Sequence, residues 1–306
     1  MSSNIDTNVD NSKQVADISI FIIATKNYVV YAKLLIESFI KFTDSALRVE
    51  FVLLTDARFD FFQEISLPDH LTISVASIES LGWPEATLFR FRLMSAHSHL
   101  ARGHRIAYID ADMVVSGPVF LQDFLSVIDA QPPNQMVLVR HPGYFSRTWL
   151  IRLVVKTPFG PWGSSPRSQA FVPFGDRETY VCGGFFWGER SSFFGMCDEL
   201  AHAIDLDQSA GVRAKHNDES HLNKWFVENG AALVGPEWVF APGYRNLRGI
   251  PPRISVIHKP SEFERIPTEH HEGRTTPYYV LKRLLRRNSS RLRGVFSPMG
   301  LRRKNR

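Results

Sequence analysis

The run ISIFIIAT at residues 18–25 narrows the fold more than any other stretch. It is continuous, apolar and rich in β-branched side chains, without the alternation of a strand that shows one face to water. Such a strand must be covered on both faces, which calls for helices above and below a parallel sheet. The next segment, YVVYAKLLIESFIKF, fits that need, because Tyr31, Leu34, Leu35 and Phe39 recur near helical spacing. Buried strands are expected again at 49–56 and 71–78, a proline-opened helix at 84–100, and a strand through HRIAYIDAD at 104–112. Strands alternating with helices predict the α/β class, a doubly wound nucleotide-binding core whose ligands sit beyond the carboxyl ends of the strands.

The second half is less regular. Residues 157–175 are rich in glycine, proline and serine and read as a mobile active-site loop. TYVCGGFFWGE (179–189) reads as a strand or tight hairpin broken by Gly183 and Gly184. Helices are expected over 191–204 and from near Asp218, and a last strand over 253–259. With no clean linker in between, residues 17–267 are expected to form one catalytic body, with a disordered segment expected at 1–16 and a basic tail from 268 to 306.

At 306 residues and 44% hydrophobic, the chain has material for one large core or two modest ones. Two cysteines, Cys182 and Cys197, make no disulfide framework and fit a reducing compartment. The polar N-terminus lacks the pattern of a signal peptide and no apolar run is long enough to span a bilayer, so a cytoplasmic protein is expected. The net charge of +5 is divided unevenly: residues 281–306 hold ten basic residues and no acid, leaving the rest at −5. Leu281, Leu284, Leu285 and Leu292 lie among those arginines, a pattern for an amphipathic helix on an anionic membrane surface. A solubilising tail or nonspecific contact with nucleic acid would have the same composition, and nothing points to specific nucleic-acid recognition.

Asp110 and Asp112 follow an apolar strand at its carboxyl end. If the backbone stays extended there, the two side chains point the same way. Neighbouring carboxylates repel unless a hard cation sits between them, and Mn²⁺ or Mg²⁺ would bridge them to the diphosphate of a nucleotide. Aspartates also solvate ordinary turns, so the pair alone leaves both readings open. In HNDESHLNKW, His216 and His221 are five apart and cannot form a zinc-protease pair on a helix. Asn217 or Asp218 would cap a helix start there, or Glu219 would aim a carboxylate into the site.

SPRSQAFVP, TYVCGGFFWG, NDESHLNKW and GPEWVF occur in that order, after DADMV and HPGYF. Taken together they resemble glycosyltransferase family 6, the ABO blood-group and α-1,3-galactosyltransferase family, from about Phe21 to Arg265. The resemblance is to members that lack a membrane anchor. It implies a GT-A fold with a nucleotide-binding half continuous with an acceptor-binding half. It also implies a retaining, Mn²⁺-dependent transfer of Gal or GalNAc from a UDP-sugar to the 3-hydroxyl of an acceptor galactoside, on a glycan or a lipid-linked oligosaccharide. On this resemblance Asp110 and Asp112 hold the metal, and Ile23, Ala24 and Tyr28 contact the nucleotide. Arg90, Asp218, Cys182, Gly183 and Gly184 face the donor sugar, His141 the acceptor, and Glu219 is the catalytic carboxylate. Lys259 and Arg265, six apart, match the lysine and arginine that close over the diphosphate. The two glycines leave space beside C2 of the sugar, favouring GalNAc. Asn217, His216 and Ala241 depart from the family's histidine, tryptophan and aspartate, which bears on acceptor contacts. The competing readings are a family 8-like GT-A transferase, with His258 as a distal metal ligand, and a non-catalytic basic adaptor for membrane or nucleic acid.

Overall fold

The computed structural model of the chain describes residues 16–257, apart from 59, 119, 146–148, 158–159 and 164. Its first half runs β1 (Ile18–Ala24), α1 (Tyr28–Phe42), β2 (Val49–Thr55), α2 (Asp60–Gln63), β3 (Leu71–Ser77), α3 (Glu85–Leu88), α4 (Arg90–Ala96), β4 (Arg105–Ile109) and β5 (Met113–Val115). Then come α5 (Phe120–Asp129), β6 (Met136–Arg140), α6 (Trp149–Lys156), β7 (Val181–Glu189), α7 (Arg190–Ser209), α8 (Asn217–Asn229), β8 (Ala232–Val234) and β9 (Ile254–Val256). Segment 1–15, Lys259, Arg265, His258 and the basic tail lie outside the described residues.

Every residue of β1 and of β2 is buried, as continuous apolar runs demand. Alternate side chains feed two layers of core. Ile18, Ile20 and Ile22 pack with Phe39, Phe51, Phe120 and Trp238 on one face. Phe21 and Ile23 pack with Phe91, Tyr108, Phe186 and Phe193 on the other. On α1 the buried stripe is Val29, Tyr31, Ala32, Leu35, Ile36 and Phe39. Leu34, expected in that stripe, is 42% exposed because it stands one residue, about 100°, round the helix from Leu35.

The main sheet has the order β3-β2-β1-β4-β7-β6-β8. The first four strands are parallel, as expected, but β7 runs antiparallel to both β4 and β6, so the sheet is mixed. Here β7 enters from the loop after α6 at the opposite end of the sheet, which no alternation of strand and helix could announce. A second small sheet pairs β5 with β9, and β9 is shorter than the strand expected at 253–259. The mixed α/β architecture, with helices on a mostly parallel sheet, is that of a GT-A fold.

Three local expectations change. The helix opened by Pro84 breaks at Phe89, whose N–H is shared between the carbonyls of Glu85 and Thr87, so Arg90 begins a new helix. The helix expected over 191–204 extends from Arg190 to Ser209 because Asp207 continues its buried face. The loop at 157–175 is no free lid among its described residues. Trp162 is buried and its indole N–H donates to the Val155 carbonyl; Ser168 and the Gln169 N–H both bond the Asp207 carboxylate. Apolar side chains, not only glycines, fill that segment, and Trp162 and Val172 pack under Tyr180.

Candidate active site

Strand order reverses between β1 and β4, and ligands of α/β sheets sit at such a switch point, past the strand ends. The ends part here. β1 pairs with β4 only as far as Phe21, whereas Ile22 to Ala24 pair with β2 alone. Ile23 and Ala24 therefore finish β1 beside the opening, and half-buried Tyr28 starts α1. The turn between them is fixed by Asp56, whose carboxylate accepts from the Lys26 N–H at 3.0 Å.

Across the opening, Asp110 and Asp112 do not continue the strand. The Met113 N–H bonds back to the Asp110 carbonyl at 3.2 Å, closing a tight turn between β4 and β5. The extended geometry expected to align the pair is absent, so side-chain orientation is set by neighbours instead. For Asp110 these are clear. Its Oδ1 accepts from the Tyr108 hydroxyl at 2.7 Å and from Arg90 Nη1 at 3.3 Å.

The centre of the site is a bulge in β7. Val139 pairs with Cys182 while the adjacent Leu138 pairs with Phe186, so Gly183, Gly184 and Phe185 bow away from β6. The freed backbone groups turn to the site. The Gly183 carbonyl accepts from Arg90 at 2.8 Å, its N–H donates to Glu219 Oε2 at 3.0 Å, and the Gly184 carbonyl accepts from the Asp110 N–H at 2.8 Å. A Cβ at Gly184 would meet Met113 Cε at 2.5 Å and Asp110 Oδ2 at 2.9 Å; one at Gly183 would lie 3.6 Å from Asp218 Oδ2. The space beside the two glycines therefore differs: a side chain at Gly184 would collide with Met113 and Asp110, whereas one at Gly183 would meet only ordinary contacts.

The first turn of α8 supplies the other wall. Neither Asn217 nor Asp218 caps the helix. Asp218 is buried with Oδ2 3.0 Å from Arg90 Nε, an ion pair outside hydrogen-bond alignment. Glu219 Oε1 lies 3.8 Å from His141 Nε2. His141, just past β6, accepts the Gly143 N–H on Nδ1 at 3.0 Å, so the neutral ring carries its proton on Nε2 and presents it toward Glu219.

Burial raises the carboxyls of Asp218 and Glu219 to about 7, against the pull of Arg90 on Asp218 and of the Gly183 N–H on Glu219. For Arg90 burial works the other way, but Asp218, Tyr108, Asp110 and Glu219 outweigh it and raise its pKa. Its guanidinium also stacks over the Tyr108 ring at 4.8 Å. Burial pushes the Cys182 thiol well up and the His216 imidazole down to about 4. The Tyr180 hydroxyl faces Glu219 and Ser220 without reaching full hydrogen-bond geometry to either.

Two donor sets invite a metal. His141, Cys182 and Glu219 bring their ligand atoms within 4.8 Å of one another, but a protonated Nε2 and a thiol of raised pKa do not suit a cation. The aspartates fit better. Oδ1 of Asp110 is occupied by Arg90 and Tyr108, Oδ2 lies in the cradle that the missing Gly184 Cβ leaves, and Asp112 is half-buried in the same turn. Hard carboxylate oxygens suit Mn²⁺ or Mg²⁺.

The structure therefore gathers Arg90, Asp110, His141, Gly183, Gly184, Asp218 and Glu219 through the contacts above; Cys182 borders the bulge. Sequence reasoning missed Tyr108, Tyr180 and Asn223. Asn223 is fully buried, its amide pairing with both backbone groups of Val181 and with the Glu219 carbonyl. Its spacing of four from Glu219 on one helix was the available signal.

Known proteins resemble this chain over most of its length. The rat histo-blood group ABO system transferase 1 is 25% identical over 273 residues, 87% of this chain and 71% of that protein. The human globoside alpha-1,3-N-acetylgalactosaminyltransferase 1 is 26% identical over 249 residues, 78% of this chain and 64% of that protein. Residues 5–259, which include all the described site residues, match the pattern of glycosyltransferase family 6. That excludes a family 8 reading, and the chain belongs to glycosyltransferase family 6.

Proposed function

We propose that the chain is a retaining, metal-dependent transferase that moves GalNAc or Gal from a UDP-sugar to the 3-hydroxyl of an acceptor galactoside. What supports this reading most is one observation: Arg90 of α4, Asp110 of the β4–β5 turn and the adjacent Asp218 and Glu219 of α8, from three separate segments, meet at the β7 bulge. One relative is named an ABO system transferase and another a globoside alpha-1,3-N-acetylgalactosaminyltransferase, and the second name agrees with GalNAc as the sugar moved.

In this reading the nucleotide lies in the gap past β1, against Ile23, Ala24 and Tyr28, with its diphosphate toward Asp110 and Asp112. A bound Mn²⁺ or Mg²⁺ would supply Lewis acidity toward the departing diphosphate. Arg90 holds Asp110 and Asp218 at a fixed separation, so the metal end and the sugar end of the donor stay in register. Asp218 orients the hexose beside Cys182, Gly183 and Gly184. Glu219, steadied by the Gly183 N–H, presents a carboxylate to the anomeric carbon. It serves as nucleophile in a double displacement or as stabiliser of positive charge in a front-face reaction, and retention follows either way. His141 Nε2–H meets the acceptor. Lys259 and Arg265 would offset charge on leaving UDP.

The test is a panel of UDP-Gal, UDP-GalNAc and UDP-Glc with galactoside acceptors and Mn²⁺, read by mass spectrometry. Glu219→Gln is expected to abolish transfer while keeping UDP binding, whereas Asp110→Asn with Asp112→Asn weakens nucleotide binding itself. Full turnover by the glutamine variant would remove Glu219 from the chemistry. Absence of transfer from every donor would favour a non-catalytic role.

A further inference from the structure

Asn217, immediately before the two carboxylates of α8, has φ +47°. That left-handed conformation is costly for every residue with a side chain, and least so for asparagine and aspartate. It is held from outside. Arg213 Nε donates to Asn217 Oδ1 at 3.0 Å, and the same guanidinium lies 4.7 Å from the ring of Trp83. Trp83 is 44% exposed and stands beside Leu81, whose carbonyl accepts from the Thr25 hydroxyl at 2.9 Å. One arginine thus joins the head of α8 to a segment fastened at the end of β1, where the nucleotide is proposed to lie. No step of the proposed chemistry uses Arg213.

We propose that Arg213 is a positioning residue that holds Asn217 in its left-handed turn and so sets the direction in which Asp218 and Glu219 leave the head of α8. The inference rests on the functional reading above. Without Arg213 the turn relaxes toward an ordinary helical φ, which swings the following carboxylates away from Arg90 and the Gly183 N–H. Binding of UDP alone changes little, because Arg213 meets the nucleotide end only through the face of the exposed Trp83 ring, while the Thr25–Leu81 hydrogen bond that fastens that segment does not involve it.

Three single variants and one double variant test this by transfer kinetics. Arg213→Ala is expected to lower kcat about tenfold, roughly 1.4 kcal/mol of lost transition-state hold, with Kd for UDP unchanged. Asn217→Ala should do the same, since alanine resists a positive φ, whereas Asn217→Gly should stay within about twofold of wild type because glycine adopts it freely. Adding Arg213→Ala to the glycine variant should then cost nothing further, a non-additivity that a role in general stability would not produce. Hydrogen exchange at the Asp218 and Glu219 amides should rise in Arg213→Ala, and this readout needs no substrate. Equal kcat for the alanine and glycine variants, or an unchanged Arg213→Ala in both kinetics and exchange, would overturn the proposal. Glu219→Gln run alongside separates the two ideas: an active glutamine variant sinks the functional reading, and a dead one with a fully active Arg213→Ala sinks only the positioning role.

Discussion

At the scale of single residues, the site is governed by the cost of burying like charges. Asp218, Glu219 and Asp110 stand around one guanidinium, and burial raises the first two carboxyls to about 7. Transfer should therefore fall on the acid side with a macroscopic pKa near 7 that belongs to the pair, as a pH–rate profile would record. Stability moves the opposite way. A carboxyl whose folded pKa lies above its unfolded value stabilises the fold below the unfolded pKa, and that contribution is lost as pH rises through the folded value. Glu219→Gln, melted in chelator, should thus gain over wild type across pH 4.5 to 7, by at most about 3 kcal/mol at pH 8 and almost nothing at pH 4. An equal gain at both pH values would mean that ionising Glu219 costs the fold nothing.

At the scale of elements, the β7 bulge and α8 are one device. The bulge turns backbone groups of Gly183 and Gly184 toward Arg90, Asp110 and Glu219, and the Asn223 amide completes the β7 edge that would otherwise be unpaired at Val181. Asn223→Ala strands a buried N–H and carbonyl, so a loss of about 2–4 kcal/mol is expected in denaturant melts. The two glycines should separate in a metal titration. Gly184→Ala forces Met113 and the Asp110 carboxylate aside and should weaken Mn²⁺ binding several-fold, while Gly183→Ala, whose nearest neighbour is 3.6 Å away, should leave it unchanged. Equal affinities for the two variants would argue that Asp110 does not hold the ion.

At the scale of the whole molecule, charge is divided between an acidic body and a basic segment. No helix among the described residues is long and apolar enough to cross a membrane. Residues 281–306, with their ten basic side chains among leucines, are the segment whose composition suits an anionic surface. The full chain should float with anionic liposomes and a chain ending at Pro267 should not; equal flotation would reject the idea. The sequence by itself determined the covered strands and the class of fold, and it supplied the acidic residues proposed for the site, because hydrophobic period and motif order are local properties of the chain. It could not reach the antiparallel course of β7, the turn at Asp110, the filled space beside Gly184 or the left-handed Asn217. Those were decided by tertiary structure alone, since each depends on which distant backbone or side chain arrives at that point, and such partners have no fixed spacing in sequence.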